Sequence, residues 1–174
     1  MINLKRAKPS DVKAMQMLVL PQVEAGVILA RSDDEVASNI RSYVLATKCD
    51  KKNSVAKKQN CPQIATQNKQ NDEIIGFGAL HIISPDLAEI RSLIVSPRHQ
   101  KMGIGSQIVK ELIKEAKELG LKKVFSLTYA QEFFESLGFK MIEKNELPAQ
   151  KIWSDCVKCK HFPICDEKAL MLYL

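Results

Sequence analysis

Residues 100–105, Gln-Lys-Met-Gly-Ile-Gly, are the part of the chain whose residue types and spacing most clearly indicate chemistry. An apolar run at 90–95 precedes them and a long amphipathic segment at 104–119 follows, so the glycines stand where a strand ends and a helix begins. The first backbone N–H groups of a helix have no partner inside it and can bind a phosphate or pyrophosphate. Because Gly103 and Gly105 lack a Cβ, such a ligand can approach the backbone closely. The loop therefore predicts a site for a phosphate-bearing ligand.

The spacing of these glycines differs from that of two better-known phosphate loops. A P-loop needs Gly-x-x-x-x-Gly-Lys-Ser/Thr, and a dinucleotide fingerprint needs three glycines and a later acidic residue. The pattern here, Gln-x-x-Gly-x-Gly, closely resembles the pyrophosphate-binding signature of the GNAT acyltransferases. That resemblance implies acetyl-CoA as co-substrate. The implied cofactor-binding residues of this loop are Gln100, Lys101, Gly103, Gly105 and Ser106. The alternative is a tight turn whose glycines serve packing alone.

Residues 88–97, Ala-Glu-Ile-Arg-Ser-Leu-Ile-Val-Ser-Pro, resemble a second segment of the family. The corresponding GNAT strand carries a bulge, and the resemblance implies that backbone N–H groups of Ile94 and Val95 bind the thioester carbonyl. Main-chain donors in that place stabilise a developing oxyanion without rearranging. A buried strand with no such role is equally compatible with the apolar run.

Residues 133–139, Phe-Phe-Glu-Ser-Leu-Gly-Phe, are similar to the family pattern Phe-Tyr-x-x-x-Gly-Phe. In many members that tyrosine protonates the leaving thiolate, but this chain has Phe134 in its place. Two alternatives remain open: Tyr129 acts as the acid, or the thiolate leaves without a protein acid.

Glu89 is the candidate general base. It lies eleven residues before Gln100, which is the spacing of the base in histone-type GNAT acetyltransferases. An amine substrate arrives as an ammonium, and a carboxylate in a partly desolvated cleft can remove its proton. The alternative is a structural ion pair with Arg91, which shares one face of the strand with Glu89 by the period of two.

Three stretches resemble one subgroup of the family, the short stand-alone N-acetylglutamate synthases of bacteria: residues 26–32, 127–134 and 146–170. The resemblance implies direct transfer of an acetyl group from acetyl-CoA to the α-amino group of L-glutamate, the first step of arginine biosynthesis. Arginine grips carboxylates through two hydrogen bonds, and the implied substrate-binding residues are Arg31, Ser32, Arg91 and Thr128. For Arg31 the alternative is a solvated residue at a helix entry.

Two other functions stay open at this point. One is a GNAT enzyme for another amine, such as a protein N-terminus, a polyamine or a drug. The other is a non-catalytic acyl-CoA-binding module, which would bind acetyl-CoA without turnover. Activity on a panel of amines distinguishes all three.

The elements that position these residues follow from the apolar periodicity. It predicts strands at 2–6, 43–46, 73–83, 89–95, 122–127 and 139–143, the last as the final core strand. Helices are predicted at 12–20, ending at Pro21, and at 33–40, 104–119 and 132–137. Ser32 and Glu35 read as a capping box. The order predicts an α/β chain of the α+β type, with a mixed, mostly antiparallel sheet flanked by helices, as in the GNAT fold.

A single domain over residues 1–174 is predicted, with two appendages. Residues 47–73 are rich in Lys, Asn and Gln, a composition that cannot bury enough surface to become ordered, so a flexible insertion is expected. A Cys-rich extension occupies residues 147–174.

The net charge of +6 suits an anionic ligand such as coenzyme A. No nucleic-acid module signature accompanies it, so no nucleic-acid partner is predicted. No apolar stretch approaches the roughly 20 residues that span a bilayer, and no signal-peptide pattern opens the chain. We therefore predict no membrane contact and a cytoplasmic location, and leave a homodimer open.

The five cysteines are an odd number, which argues against a disulfide framework. Four C-terminal side chains have the chemistry of zinc ligands: Cys156, Cys159, His161 and Cys165. Because a second Cys-x-x-Cys pair is missing, we predict no metal. We expect instead a tail that packs Trp153, Phe162 and Ile164 onto the core.

Overall fold

The computed structural model describes residues 2–48, 72–159 and 161–174, except for the side chains of Gln150, Ile152 and Trp153. Cys49, Cys61 and most of the insertion at 47–73 therefore lie outside the described residues. The strands are β1 (Ile2–Arg6), β2 (Tyr43–Lys48), β3 (Glu73–Ser84), β4 (Leu87–Val95), β5 (Lys123–Thr128), β6 (Lys140–Ile142) and β7 (Lys168–Tyr173). The α-helices are α1 (Val12–Glu24), α2 (Asp33–Ser38), α3 (Ile104–Glu118), α4 (Gln131–Glu135) and α5 (Ala149–Ser154). None of these helices is long and apolar enough to cross a membrane.

The seven strands form one sheet in the order β1-β2-β3-β4-β5-β7-β6. The β4–β5 pair is parallel, and the other five neighbouring pairs are antiparallel. This arrangement confirms the predicted mixed, mostly antiparallel sheet with flanking helices.

The two faces of the sheet carry separate apolar cores, because side chains alternate along each strand. Val44 and Ala46 of β2 pack in the core that contains the buried face of α3. Tyr43 and Leu45, their neighbours in sequence, pack in the core that contains residues of α1 and α2. The helices are thus held on the sheet by burial of apolar surface, the dominant stabilising contribution in folding.

The predicted start of α2 is correct, whereas the predicted end of α1 is not. The capping box at α2 is confirmed, since the N–H of Glu35 donates to Ser32 Oγ at 3.2 Å and the N–H of Ser32 donates to Glu35 Oε2 at 2.9 Å. The prediction that α1 ends at Pro21 is wrong, because the helix continues to Glu24. Proline removes one donor but keeps its acceptor, and the N–H of Ala25 donates to the Pro21 carbonyl at 3.1 Å.

The C-terminal extension contributes the strand that the sequence analysis missed. Residues 139–143 are not the final core strand: β6 lies at the sheet edge, where Met141 is 54% exposed. The later strand β7 inserts between β5 and β6 and buries Ala169, Leu170 and Met171. The expected packing of Phe162 and Ile164 onto the core is also wrong, since their exposed fractions are 48% and 88%.

Candidate active site

A cleft opens where β4 and β5 separate. Their parallel pairing covers three residue pairs and ends at Glu89 opposite Phe125, and the Ser126 hydroxyl then donates to the Ile90 carbonyl at 2.9 Å. Beyond that point β4 runs on to Val95 and β5 to Thr128. The resulting cleft has a volume of about 460 Å³ and is lined by both separated strand ends, by residues 26–31 and by part of the C-terminal extension.

A β-bulge shapes the β4 side of this cleft. The pairing with β3 shifts between Phe77 and Ala79, so Ser92 and Leu93 stand opposite Gly78 alone, and Ser92 has a φ of 53°. Two residues opposite one define a bulge. A Cβ on Gly78 would lie 3.0 Å from a methyl of Ile108 in α3, so the missing side chain lets the helix approach the strand closely.

The bulged strand also sets the direction of the backbone donors near its end. The N–H of Ser96 donates to the Ile75 carbonyl of β3 at 2.8 Å. Because successive N–H groups of a strand point to opposite sides, the N–H of Val95 is directed away from β3 and that of Ile94 toward it. Both residues line the cleft. Of the two, Val95 is the one whose N–H does not point to a hydrogen-bond acceptor on β3.

The glycine loop leads from the cleft to the start of α3. Gln100 lines the cleft, and its side-chain amide donates to the Val95 carbonyl at 3.2 Å. Gly103 is the residue before the helix, with a left-handed φ of 76° and open space around the position of a Cβ. Lys101, with a φ of 61°, adds a positive charge to the loop. The residue before α3 is thus bordered by open space, and a lysine lies two positions earlier in the loop. A helix N-terminus in such surroundings suits a pyrophosphate.

Seven charged residues line the same cleft, among them Lys158 and Glu167. The other five are joined by ion pairs, and we call them the charge cluster: Arg31, Glu89, Arg91, Lys151 and Asp155. Glu89 is 2% exposed. Its Oε1 lies 2.7 Å from Lys151 Nζ, and its Oε2 lies 4.0 Å from Arg91 Nη1. The strongest ion partner of Glu89 is thus a lysine that the sequence analysis did not single out, and Arg91 is a more distant one.

Asp155 joins the three cations of the cluster through one oxygen. Its Oδ2 lies 2.8 Å from Lys151 Nζ, 3.2 Å from Arg31 Nη2 and 3.3 Å from Arg91 Nη1. Burial would raise the pKa of Asp155, but Lys151 and the two guanidinium groups lower it to about 2. Burial would likewise lower the pKa of Lys151, but Glu89 and Asp155 raise it. Both groups are therefore charged at neutral pH.

Three atoms of the charge cluster are buried and have no hydrogen-bond partner among the described residues: Arg31 Nε, Arg91 Nε and Glu89 Oε2. Buried polar atoms in native proteins are nearly always paired with protein or water. Two cationic donors and one carboxylate acceptor of residues that line the cleft are therefore unpaired within the described chain.

Tyr129 and Thr128 lie at the end of β5 and line the cleft. Desolvation and the nearby carboxylates of Glu167 and Asp166 raise the pKa of Tyr129 to about 12, so its phenol carries a proton at neutral pH. The Thr128 hydroxyl accepts from the Ala130 N–H at 2.9 Å. Phe134, at the family's tyrosine position, is 2% exposed, and its ring centroid lies 5.2 Å from that of Phe139.

The structure brings most, but not all, of the predicted site residues to the cleft. Ser32 is not among the lining residues, because its hydroxyl caps α2. Four more predicted residues lie on the loop and first helical turn, outside the lining of the cleft: Lys101, Gly103, Gly105 and Ser106. Lys151 and Asp155 were not among the predicted site residues: they lie four residues apart on α5 and at its C-cap, where no helix was predicted.

The C-terminal thiols are reduced, and two of them, Cys156 and Cys159, line the cleft. Burial raises the pKa of Cys156, which keeps it a protonated thiol and a poor nucleophile at neutral pH. In the described part of the chain, no group of three or more His, Cys, Asp or Glu side chains is arranged to hold a metal ion. The absence of a metal stays a prediction.

The sequence of the chain is similar to those of known acetyltransferases. Over 168 residues the chain is 31% identical to an uncharacterised N-acetyltransferase of Chlorobaculum tepidum, covering 97% of this chain and 94% of that protein. Over 78 residues it is 42% identical to an amino-acid acetyltransferase of Mycobacterium tuberculosis, covering 45% of each. The chain thus spans less than half of that second relative.

A solved structure of N-acetylglutamate synthase from Neisseria gonorrhoeae, in complex with coenzyme A and N-acetyl-glutamate, has the same fold, with a TM-score of 0.78. The match covers 100% of this chain and 35% of that one, at 21% identity. The sequence model described as the acetyltransferase (GNAT) family matches residues 26–139. Together with the Chlorobaculum relative, this match shows that the chain belongs to the GNAT family of acetyltransferases.

Proposed function

We propose that this acetyltransferase moves the acetyl group of acetyl-CoA to the α-amino group of an acidic amino acid, with L-glutamate as the main acceptor. Transfer is direct, within a complex that holds both substrates. A role in arginine biosynthesis and a cytoplasmic location are predictions that go with this acceptor.

The observation that carries the proposal is the set of three buried, unpartnered atoms in the charge cluster. An amino acid with two carboxylates brings two acceptors and one ammonium donor. Arg31 Nε and Arg91 Nε can each donate to a carboxylate, and Glu89 Oε2 can accept from the ammonium. The ligand thus offers the complement of what the described residues leave unpaired, which favours it over an amine without carboxylates.

The charge balance supports the same class of ligand. The cluster has three cations and two carboxylates, which leaves one net positive charge. Glutamate at neutral pH has one net negative charge. Binding of glutamate therefore neutralises the charge cluster, whereas a polyamine would add positive charge to a cluster that already has an excess of it.

The proton of the substrate ammonium has a defined acceptor. Glu89 Oε1 is held by Lys151, and Oε2 is free of hydrogen bonds in the described chain. In the proposed step the ammonium loses a proton to Oε2, and the amine nitrogen then forms a bond to the thioester carbon. As the C–S bond breaks, the electron pair leaves on sulfur, and the thiolate takes a proton from the Tyr129 phenol or from water. The newly bonded nitrogen then gives its second proton to the resulting phenolate or hydroxide, so that a neutral amide and a thiol remain.

The bulge and the glycine loop account for the acetyl-CoA side of the reaction. The N–H of Val95 can donate to the carbonyl oxygen as negative charge develops there, with Ile94 beside it. The N–H groups of Gly105 and Ser106 at the start of α3, with Lys101 and Gln100, can hold the pyrophosphate. The Neisseria and Mycobacterium proteins support this reading, since one is bound to coenzyme A and the other is named an amino-acid acetyltransferase.

The experiment that tests the proposal is a thiol-release assay with acetyl-CoA and single acceptors. We expect L-glutamate to be used at least about tenfold more efficiently than L-glutamine, because glutamine lacks one charge-assisted contact. Spermidine should be a poor acceptor. An Arg31→Lys variant should lose efficiency with glutamate, because an ammonium cannot reproduce the planar fork, and should keep its KM for acetyl-CoA.

Three other outcomes would contradict the proposal in different ways. Equal use of glutamate, glutamine and spermidine would leave only an acetyltransferase of broad acceptor range. Strong preference for a peptide N-terminus would move the acceptor class to proteins. Binding of acetyl-CoA without thiol release for any amine would indicate a non-catalytic module.

A further inference from the structure

Asp155 differs from the other members of the charge cluster because it has no role in the proposed chemistry. It is 7% exposed, and its Oδ2 is within 3.3 Å of three cations that come from three separate elements. Arg31 precedes α2, Arg91 is on β4 and Lys151 is on α5. One carboxylate oxygen therefore fixes the relative positions of the three cations of the charge cluster.

The way in which Asp155 holds the arginines leaves part of each one unused. Asp155 accepts one hydrogen bond from an Nη group of each guanidinium. The buried Nε of each arginine has no hydrogen-bond partner within residues 2–48, 72–159 and 161–174. A guanidinium has five N–H donors in a rigid fork. Because the guanidinium is planar and rigid, holding its Nη group also fixes the direction of its Nε–H. Asp155 therefore positions the Nε donors of Arg31 and Arg91 for an incoming carboxylate.

The origin of Asp155 in the chain points to acceptor choice. The family model matches residues 26–139, so Arg31, Glu89 and Arg91 belong to the matched part. Lys151 and Asp155 lie beyond it, four residues apart, and thus on one face of the C-terminal helix and its end. The extension adds one cation and one anion to a charge cluster whose other three members, Arg31, Glu89 and Arg91, come from the matched part.

We propose that Asp155 is a specificity-determining residue: it positions the cations of the charge cluster and limits their excess to one charge, so that the cleft selects a dicarboxylate that also has an amine. This inference rests on the proposed function. Without the Asp155 charge the cluster would have an excess of two positive charges, which matches a simple dicarboxylate such as glutarate better than glutamate.

The test compares the binding of glutamate and glutarate to the coenzyme A complex of the full chain by calorimetry. We expect the native protein to prefer glutamate. Asp155→Asn keeps the size of the side chain and one acceptor oxygen but removes the charge. The ratio of glutarate affinity to glutamate affinity should rise by about tenfold, because one charge-assisted contact has an effect of that size. The KM for acetyl-CoA should stay within about twofold of the native value.

Two further variants distinguish the effect of the Asp155 charge from a general effect of substitution on folding. Asp155→Glu keeps the charge and should keep the native order of preference. Asp86→Asn removes a surface aspartate that pairs with Lys122 outside the cleft, and it should change neither affinity. If Asp155→Asn does not give a cooperative thermal transition, Asp155→Ser removes the same charge and takes its place.

The outcomes distinguish the inference from the proposal on which it rests. Equal weakening of both ligands, or an unchanged ratio, in a folded variant would overturn the selective role of Asp155 and leave the glutamate acetyltransferase standing. Failure of the native protein to bind glutamate would overturn both. A shift toward glutarate supports the inference.

Discussion

Lys151 Nζ lies 2.7 Å from Glu89 Oε1, so a buried ammonium of the C-terminal extension is the ion partner of the candidate base on β4. The same nitrogen lies 2.8 Å from Asp155 Oδ2. Since β7 of the extension also completes the sheet, this segment contributes to the fold and to the cleft alike.

This ion pair predicts a large effect on stability. Lys151→Met keeps the approximate length of the side chain but leaves Glu89 and Asp155 with one cation fewer in a buried site. Removing one partner of a buried ion pair destabilises by about 3–5 kcal/mol, and urea unfolding should show a loss of that order. Lys122→Met, at an exposed pair with Asp86, is the matched control and should change little. A loss no larger than that of the control would mean that the pair is not desolvated.

The proposed base predicts a pH-dependent loss of activity. Glu89→Gln keeps the size of the side chain but removes the proton acceptor, so kcat should fall by about a hundredfold or more near neutral pH. The defect should shrink at high pH, where more of the substrate amine is already deprotonated. Glu118→Gln, on the exposed end of α3, is the control. A normal rate for Glu89→Gln at neutral pH would assign the proton to another acceptor.

The glycine loop predicts a charge effect on acetyl-CoA binding. Both Asp and Asn tolerate the left-handed conformation of Gly103 better than most residues, and a Cβ there meets open space. Comparing Gly103→Asp with Gly103→Asn therefore isolates the charge. Calorimetry should show acetyl-CoA binding weaker by at least about tenfold, or 1.4 kcal/mol, in the Asp variant. Equal affinity of the two variants would remove this loop from the pyrophosphate site.

His81, whose Cα pairs with that of Glu89 across β3 and β4, predicts a pH dependence of stability. Burial, followed by the positive charge of Arg91, lowers the pKa of His81 from 6.5 to about 4. Between these values the unfolded chain binds the proton more readily, so unfolding becomes easier as the pH falls from 6.5 to 4. The free energy of unfolding of His81→Gln should fall less over that range than that of the native protein. Equal slopes in urea unfolding at several pH values would contradict this.

Local patterns explain what the sequence predicted well. The glycine loop, the capping box of Ser32 and Glu35, and the shared face of Glu89 and Arg91 each depend on residues close together in the chain. Periodicity and capping rules describe such short-range relationships directly. These features predicted the strand that precedes residues 100–105 and the helix that follows them, which are β4 and α3.

Long-range pairing explains what the sequence did not predict. The position of β7 between β5 and β6 depends on a register between residues 123–128 and 168–173, which no local pattern encodes. Lys151 and Asp155 have ordinary spacing for a surface helix, and only their contact with β4 shows their role. The sequence predicts two roles for Ser32, a helix cap and a substrate ligand, and its hydroxyl makes the cap.

The most direct test of the central claim is a structure of the protein with coenzyme A and N-acetylglutamate. We expect the two carboxylates of the product to accept from Arg31 Nε and Arg91 Nε, and its amide N–H to donate to Glu89 Oε2, at about 2.7–3.2 Å each. A product bound elsewhere, with these three atoms still unpaired, would contradict the proposed acceptor site.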